Sequence, residues 1–308
     1  MNLQFKPLQA EDMQKIAPFY ALRPNKTCDS VYLDSFIWRD YYQVKYTVID
    51  EKAVLFLMEK DGEPFTAMPI CKEEDLSYYF QQLVEYFNQE LKKPLKIFLA
   101  DEEAITYLNL DPEKFLVKEE EDLKDYLYDA QALKTLAGKK LHKKKNHLNN
   151  FLKEYEGRCE YRSLICSDRE SVLSFLDEWW ENKVEAAEFV RQLDYEVMGI
   201  HDILKNCSML NVRMAGVFID GSLKAFTIGT YNPLEKMAVI HIEKADPEIR
   251  GLYQFINQQF LLHGFTEEVN LVNREDDVGM EGLRRAKMSY YPMGFARKYG
   301  VLQKGFSQ

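Results

Sequence analysis

The chain has 308 residues, which is enough for two domains that each bury a core. An apolar content of 46% excludes a disordered protein, and a formal charge of −10 argues against a general nucleic-acid-binding protein. The longest aliphatic and aromatic run, 53–58, is too short to cross a bilayer, and the charged N-terminus lacks the apolar core of a signal peptide. We therefore expect a cytoplasmic protein without a transmembrane segment.

The five cysteines are scattered along the chain, and none of them forms a C-x-x-C pair. An odd number at wide spacing is typical of reduced thiols in a reducing compartment. The sequence therefore predicts neither a disulfide framework nor a zinc site.

In chain order, the first half begins with a short β-like run at 3–7 and a helix within 11–20. Residues 54–70 then form two apolar runs around Asp61-Gly62, which favours a tight hairpin because glycine supplies the positive φ. The elements that follow are a helix at 76–91, a strand at 95–100, a short helix at 103–108 and a strand from Phe115.

A basic segment follows the first half. Residues 111–125 are crowded with acids, whereas 130–153 contain none and carry seven lysines. Apolar residues recur at roughly helical spacing within the basic stretch. The pattern predicts a basic amphipathic helix over 129–156 that links two domains.

The second half repeats the order of the first. A hairpin with Asp220-Gly221 and a Phe-Thr pair at 226–227 matches the earlier one, which carries Phe-Thr at 65–66. The other predicted elements are a β run at 160–165, helices at 169–180, 252–262 and 280–287, and strands at 269–273 and 293–300. We therefore predict an α/β (α+β) fold of two tandem domains, 1–128 and 157–308, each a mixed, mostly antiparallel sheet flanked by helices.

This repeated order resembles the GNAT-type acyl-CoA N-acyltransferase fold in tandem. Three further features are GKKLHKKKNHLNNFLKEY (138–155), GLYQFINQQF (251–260) with Asn273 after it, and a tail with Lys287, Tyr290, Pro292, Arg297 and Tyr299. On these residues the C-terminal half is similar to the catalytic domain of phosphatidylglycerol lysyltransferases and of an uncharacterised family related to them. The Fem-type enzymes, which build peptidoglycan cross-bridges from aminoacyl-tRNA, share the double-domain plan.

The resemblance implies that two strands, about 237–243 and 268–273, splay apart to receive an acyl donor, with a cleft at their C-terminal ends. Glu243 is the candidate general base there, and a surface ion pair with Lys244 or Arg250 is the structural alternative. Tyr290 is the second catalytic candidate, as a general acid or a hydrogen-bond donor to substrate, with core packing as the alternative. The candidate substrate-binding residues are Tyr253, Asn257, Asn273, Arg274, Glu275, Arg284 and Lys287.

Each binding assignment has a structural alternative. Asn273 and Arg274 suit a carbonyl or carboxylate, or else loop capping and a surface ion pair. Arg284 and Lys287 lie three residues apart, where they bind a phosphate or carboxylate or join a salt-bridge network with neighbouring glutamates. Asp276 and Asp277 precede a helix and favour a capping role.

Cofactor motifs are sparse. Coenzyme A enzymes of the GNAT type hold the pyrophosphate on a Gly-rich basic turn at a helix N-terminus, and only Arg250-Gly251 stands at that place. No P-loop, dinucleotide fingerprint, G-x-S-x-G elbow or H-E-x-x-H motif is found. No metal is implied, and coenzyme A remains an alternative donor.

The function expected from the resemblance is acyl transfer, with the aminoacyl group of an aminoacyl-tRNA passing to a small-molecule or envelope-related acceptor. The lysines of the basic segment would bind the anionic donor: Lys139, Lys140, Lys143, Lys144 and Lys145. The same segment alternatively lies on an anionic bilayer as a peripheral contact, or is a solvated linker. An acyl-CoA-dependent N-acyltransferase and a non-catalytic ligand-binding module are the alternative functions.

Overall fold

The computed structural model describes residues 3–181 and 187–306, and all structural statements below concern those residues. Single turns of 3-10 helix join several of the elements. The α-helices are α1 (Met13–Ile16), α2 (Tyr32–Ile37), α3 (Leu76–Gln89), α4 (Glu102–Leu108), α5 (Ala130–Thr135), α6 (His142–Glu154), α7 (Arg169–Glu181), α8 (Ala187–Asn206), α9 (Leu252–His263) and α10 (Glu281–Met288). The strands are β1 (Lys6–Pro7), β2 (Lys45–Ile49), β3 (Ala53–Lys60), β4 (Glu63–Phe65), β5 (Lys96–Asp101), β6 (Phe115–Glu119), β7 (Asp125–Asp129), β8 (Cys159–Ser163), β9 (Arg213–Ile219), β10 (Ser222–Asn232), β11 (Met237–Ala245), β12 (Leu271–Asn273), β13 (Gly294–Ala296) and β14 (Lys298–Gln303).

The chain divides into two compact units. The first unit contains residues 1–125 and 296–308, and the second contains 126–295. In the first unit, strands pair in the orders β1-β2-β3-β4 and β5-β14-β6, and in the second the order is β13-β7-β12-β11-β10-β9-β8. Most of these pairs are antiparallel and helices flank them, so the predicted fold class is confirmed.

The units differ from the predicted boundaries in their last strands. We predicted that 293–300 is one strand of the C-terminal domain, whereas β14 pairs with β5 and β6 of the first unit. Val301 of β14 is 1% exposed and packs in the same core as Leu83 and Phe87 of α3. β7, which was not predicted, pairs with β12 of the second unit. Burial of these apolar side chains, rather than order along the chain, decides which sheet each strand joins.

Both predicted hairpins are present. β3 and β4 turn at Asp61-Gly62, where φ is +52° and +81°, and β9 and β10 turn at Asp220-Gly221, where φ is +51° and +83°. Positive φ at two successive residues is the geometry of a tight hairpin, and it favours Asp-Gly. The internal duplication seen in the sequence is therefore matched by the same local structure in each unit.

The basic segment is two helices instead of one. The chain breaks at Leu136 and Gly138, with φ of +48° and +87°, so α5 ends before the lysine-rich α6 begins. Leu148 and Phe151 of α6 are buried in the core of the second unit. The prediction of a single linking helix is therefore wrong, because the apolar side of α6 packs into the second unit as one of its own elements.

Two cysteines are paired, contrary to the prediction of reduced thiols. A disulfide joins Cys166 to Cys207 across 41 residues of sequence, and the described thiols Cys28, Cys71 and Cys159 are free. The sequence did not indicate this disulfide, because Cys166, before α7, and Cys207, after α8, come together only when the two helices pack against each other.

We expect Cys166→Ser to lower the free energy of unfolding by about 2–4 kcal/mol under oxidising conditions, because the bond closes a long loop in the unfolded chain. Urea unfolding with and without reductant measures the effect, and Cys159→Ser, which removes a free thiol, is the matched control. Alkylation of Cys166 and Cys207 in unreduced protein would contradict this assignment.

Among the described residues, no helix combines the length and the apolar character that crossing a membrane requires.

Candidate functional site

The candidate site lies where β11 and β12 part. The two strands pair in parallel from Met237 and Leu271 to Val239 and Asn273, and there the pairing ends. β11 continues to Ala245, whereas the chain after Asn273 stays with β7: the Arg274 N–H donates to the Tyr126 carbonyl, and the Glu275 carbonyl accepts from the Tyr126 N–H. From this segment the Arg274 side chain reaches Glu243 of β11.

Glu243 at the end of β11 is held by two of the predicted site residues. Its Oε1 accepts a hydrogen bond from Arg274 Nη2 at 2.7 Å, and its Oε2 accepts one from Asn257 Nδ2 of α9 at 2.8 Å. The Glu243 and Arg274 side chains are only 8% and 13% exposed, and Asn257 is 2% exposed. A carboxylate and guanidinium removed from water in this way form a strong, charge-assisted pair.

Arg274 lies among aromatic rings. Its guanidinium carbon is 4.9 Å from the centre of the Tyr290 ring and 5.9 Å from that of Tyr128. Burial opposes the charge of Arg274, but the Glu243 carboxylate outweighs it and holds the arginine pKa above its usual value. The other terminal nitrogen, Nη1, is buried without a hydrogen-bond partner among the described residues. A buried donor without a partner is unusual in a folded protein and marks this position as a candidate for ligand binding.

Lys144 differs from the other lysines of the basic segment. Lys139, Lys140, Lys143 and Lys145 are exposed, whereas Lys144 is partly buried with its Nζ 4.1 Å from the centre of the Tyr290 ring. Burial, together with the charges of Arg274 and Lys143, lowers the pKa of Lys144 to about 8. A substantial fraction of this side chain is therefore the neutral amine in mildly alkaline solution.

The tyrosines near this site keep their protons. Tyr290 is 7% exposed, and its hydroxyl accepts a hydrogen bond from Gln254 Nε2 at 3.0 Å. Burial raises the pKa of Tyr290, of Tyr253 and of Tyr128. Each phenol is consequently a hydrogen-bond donor at neutral pH, and Tyr290 retains a proton that it can donate to a ligand.

Asn273 and Glu275 bind within the protein. Asn273 is fully buried, and its Oδ1 accepts a hydrogen bond from the backbone N–H of Glu275 at 2.7 Å. Glu275 Oε1 lies 2.9 Å from Nδ1 of buried His241, whose Nε2 lies 2.8 Å from Thr230 Oγ1. His241 is the extra residue of a bulge, since Ile228 pairs with Ile242 and Gly229 with Ile240. This network shapes the loop after β12.

Arg284 and Lys287 also hold that loop. Arg284 donates from Nε and Nη2 to Asp277 at 2.9 and 2.7 Å, and the buried Asp277 also accepts from the Tyr126 hydroxyl. Lys287 Nζ donates to the backbone carbonyls of Arg274, at 2.6 Å, and of Asp276. The ligand-binding role predicted for Arg284 and Lys287 stays a prediction, and these contacts give both residues a positioning role.

The structure thus brings Glu243, Asn257, Arg274 and Tyr290 together and adds Lys144 from the basic segment. The sequence analysis missed Tyr128, His241 and Gln254, which support these groups. A buried strand at 125–129 would have placed Tyr128, but its buried residues run consecutively instead of alternating, and acids surround it.

The comparisons with known proteins identify the family. A family model described as "Phosphatidylglycerol lysyltransferase, C-terminal" matches residues 21–302. The chain belongs to this family. This is the family that the resemblance predicted.

Individual relatives support the same assignment. A conserved protein of unknown function from Bacteroides thetaiotaomicron is 28% identical, with a TM-score of 0.86 over 98% of this chain and 100% of its own. L-PGS from Bacillus licheniformis has a TM-score of 0.72 at 13% identity, over 100% of this chain and 95% of its own, which shows a shared fold. An uncharacterized protein of Mycoplasmoides gallisepticum is 27% identical over 58% of this chain, and the match spans 55% of that relative.

Proposed function

We propose that the second unit transfers an aminoacyl group from an aminoacyl-tRNA to an amine or hydroxyl of a small-molecule or envelope-related acceptor. Membership of a lysyltransferase family supports aminoacyl transfer as the reaction type. The observation that carries the proposal is the unpaired, buried Nη1 of Arg274 beside the protonated Tyr290. Donors preorganised in a site with little water stabilise the negative charge that develops on an ester carbonyl during acyl transfer.

Each group at the site has a chemical task in this proposal. Arg274 Nη1 and the Tyr290 hydroxyl donate to the carbonyl oxygen of the aminoacyl ester. Glu243 and Asn257 hold the arginine in place, since both carboxylate oxygens of Glu243 are occupied. Glu243 remains a candidate base only if a substrate displaces one of those two donors, and its present contacts favour a positioning role.

The exposed lysines suit the anionic donor. Lys139, Lys140, Lys143 and Lys145 precede or begin α6, and Lys140 Nζ is 5.4 Å from the centre of the exposed Tyr291 ring. Lysine side chains attract a polyphosphate backbone without sequence specificity, and an adjacent exposed aromatic ring can stack on a base. These features support tRNA as the donor, with its acylated end at Arg274.

The coenzyme A alternative is disfavoured by the turn before α9. Gly251 has a φ of +92°, and a Cβ placed on it would lie 2.3 Å from the backbone oxygen of His147. The turn that would bind a pyrophosphate therefore packs against the backbone of α6.

The test is to incubate the purified protein with radiolabelled aminoacyl-tRNA and acceptor amines, and to measure loss of the label from tRNA and its transfer. We expect deacylation faster than spontaneous hydrolysis, and binding weakened at least about 10-fold by Lys143→Glu with Lys145→Glu. Lys153→Glu is the matched control, because Lys153 is an exposed lysine at the far end of α6. Deacylation no faster than spontaneous hydrolysis, with saturable coenzyme A binding, would contradict the proposal.

A further inference from the structure

Among the five lysines at 139–145, Lys144 is the one that turns towards the interior. It lies over the ring of Tyr290, on the side of α6 that also packs Leu148 and Phe151 into the core. The charges that act on it are Arg274 and Lys143, and both are positive. Burial and these two positive charges make the ammonium of Lys144 costly, and its contact with the face of the Tyr290 ring offsets only part of that cost. The position of a lysine in these surroundings therefore requires an explanation.

The other titratable groups at the site are unsuited to accept a proton. Both oxygens of Glu243 accept hydrogen bonds from Arg274 and Asn257. The tyrosines hold their protons because burial raises their pKa values.

The two histidines on neighbouring elements are also engaged. His147 Nε2 lies 3.3 Å from a guanidinium nitrogen of Arg250, and His241 lies between Glu275 and Thr230. Lys144 is therefore the group at this site, among the described residues, whose neutral form has an uncommitted lone pair.

We propose that Lys144, as its neutral amine, is the general base of the transfer reaction, a role that rests on the proposed function. The nucleophilic nitrogen or oxygen of the acceptor attacks the carbonyl carbon of the aminoacyl ester and forms the new C–N or C–O bond. Lys144 Nζ takes the proton that the nucleophile loses. The ester bond to the ribose then breaks, and the resulting ammonium returns the proton to the ribose oxygen, so no further reactant is consumed.

The charged surroundings of Lys144 give this role a pH dependence. The groups that face it are Tyr290 and Arg274 from the other elements, and Lys143 and His147 on α6. Because the neutral amine is the active form, the rate of transfer should rise with pH and level off above about 8, where this amine has lost its proton.

The experiment compares Lys144→Ala and Lys144→Met with Lys153→Ala, which changes an exposed lysine at the far end of the same helix, outside the lysines proposed to bind the donor. We expect the Lys144 variants to lose about 100- to 1,000-fold in the rate of transfer while aminoacyl-tRNA binding changes less than about 3-fold. Added methylamine or ethylamine should restore part of the rate to Lys144→Ala, and the rise in rate around pH 8 should disappear from the unrescued variant. Lys153→Ala should keep the wild-type profile.

A stability measurement separates catalysis from a structural role. The pKa of Lys144 is lower in the folded chain than in the unfolded chain. Below about pH 8 its charge therefore lowers the free energy of unfolding, and this loss of stability becomes smaller as the pH rises. The thermal midpoint of Lys144→Met at pH 7 should therefore be higher than that of the wild type, whereas loss of a structural lysine would lower it.

The outcomes distinguish the two proposals. A wild-type protein that transfers nothing overturns the proposed function and this role with it. A wild-type protein that transfers, with Lys144→Ala retaining its rate or resisting rescue by every amine, overturns the role of Lys144 alone.

Discussion

Replacing Arg274 with methionine is expected to lower the free energy of unfolding of the second unit by about 3–5 kcal/mol, because it leaves the Glu243 carboxylate buried without its ion-pair partner. The same variant should lose transfer, since the charged donor to the ester carbonyl, Arg274 Nη1, is lost with the guanidinium. Urea unfolding followed by a probe of the second unit measures the first effect. The transfer assay measures the second.

The double variant Glu243→Met with Arg274→Met is the informative comparison. Replacing both members of a buried pair with apolar side chains of similar length removes both charges, and the stability should return to within about 1 kcal/mol of the wild type. Transfer should remain absent, because stability and catalysis depend on the pair in different ways. A single Arg274→Met variant as stable as the wild type would mean that this pair is open to water.

Substituting Gly251 with alanine is expected to destabilise the second unit by about 3 kcal/mol or more, from a strained backbone and a steric clash together. The φ of +92° at this residue is one that L side chains rarely adopt. The new Cβ would lie 2.3 Å from the His147 backbone oxygen and 2.8 Å from Phe151 Cβ. Both contacts belong to α6, so the helix that carries Lys144 would have to shift.

Gly282 provides the control for that substitution. It lies in α10 without a positive φ, and a Cβ there meets nothing within 4 Å. Gly282→Ala should raise the free energy of unfolding by about 0.5–1 kcal/mol, because alanine has the better helix propensity. Urea denaturation measures the free energy of unfolding of Gly251→Ala and of Gly282→Ala. Equal changes in the two variants would contradict the packing of α6 against the turn at Gly251.

Much of the local structure could be predicted from the sequence. Asp-Gly turns gave both hairpins, and apolar residues at helical spacing gave α3 and α9 to within a few residues. These features depend on short stretches of sequence whose pattern is independent of distant contacts. The parting of β11 and β12 was implied by the resemblance to the GNAT-type fold, which is why Glu243 and Arg274 were expected near one another.

The features that the sequence did not predict correctly depend on contacts between distant parts of the chain. β14 continues the predicted C-terminal strand but completes the first unit, since Val301 finds its apolar neighbours there. The disulfide could not be predicted either, because its two cysteines meet only once α7 and α8 have packed together. The sequence could not predict that Lys144 points inwards. Five lysines lie close together in the basic stretch, and only the packing of α6 decides which of them is buried.

The most direct measurement of the central claim is a crystal structure with a non-hydrolysable amide analogue of the aminoacylated terminal adenosine of tRNA. We expect the carbonyl oxygen of the analogue within hydrogen-bonding distance of Arg274 Nη1, with Lys144 Nζ on the side from which a nucleophile attacks the carbonyl carbon. An analogue bound elsewhere in the second unit, with Arg274 Nη1 still unpartnered, would contradict the account.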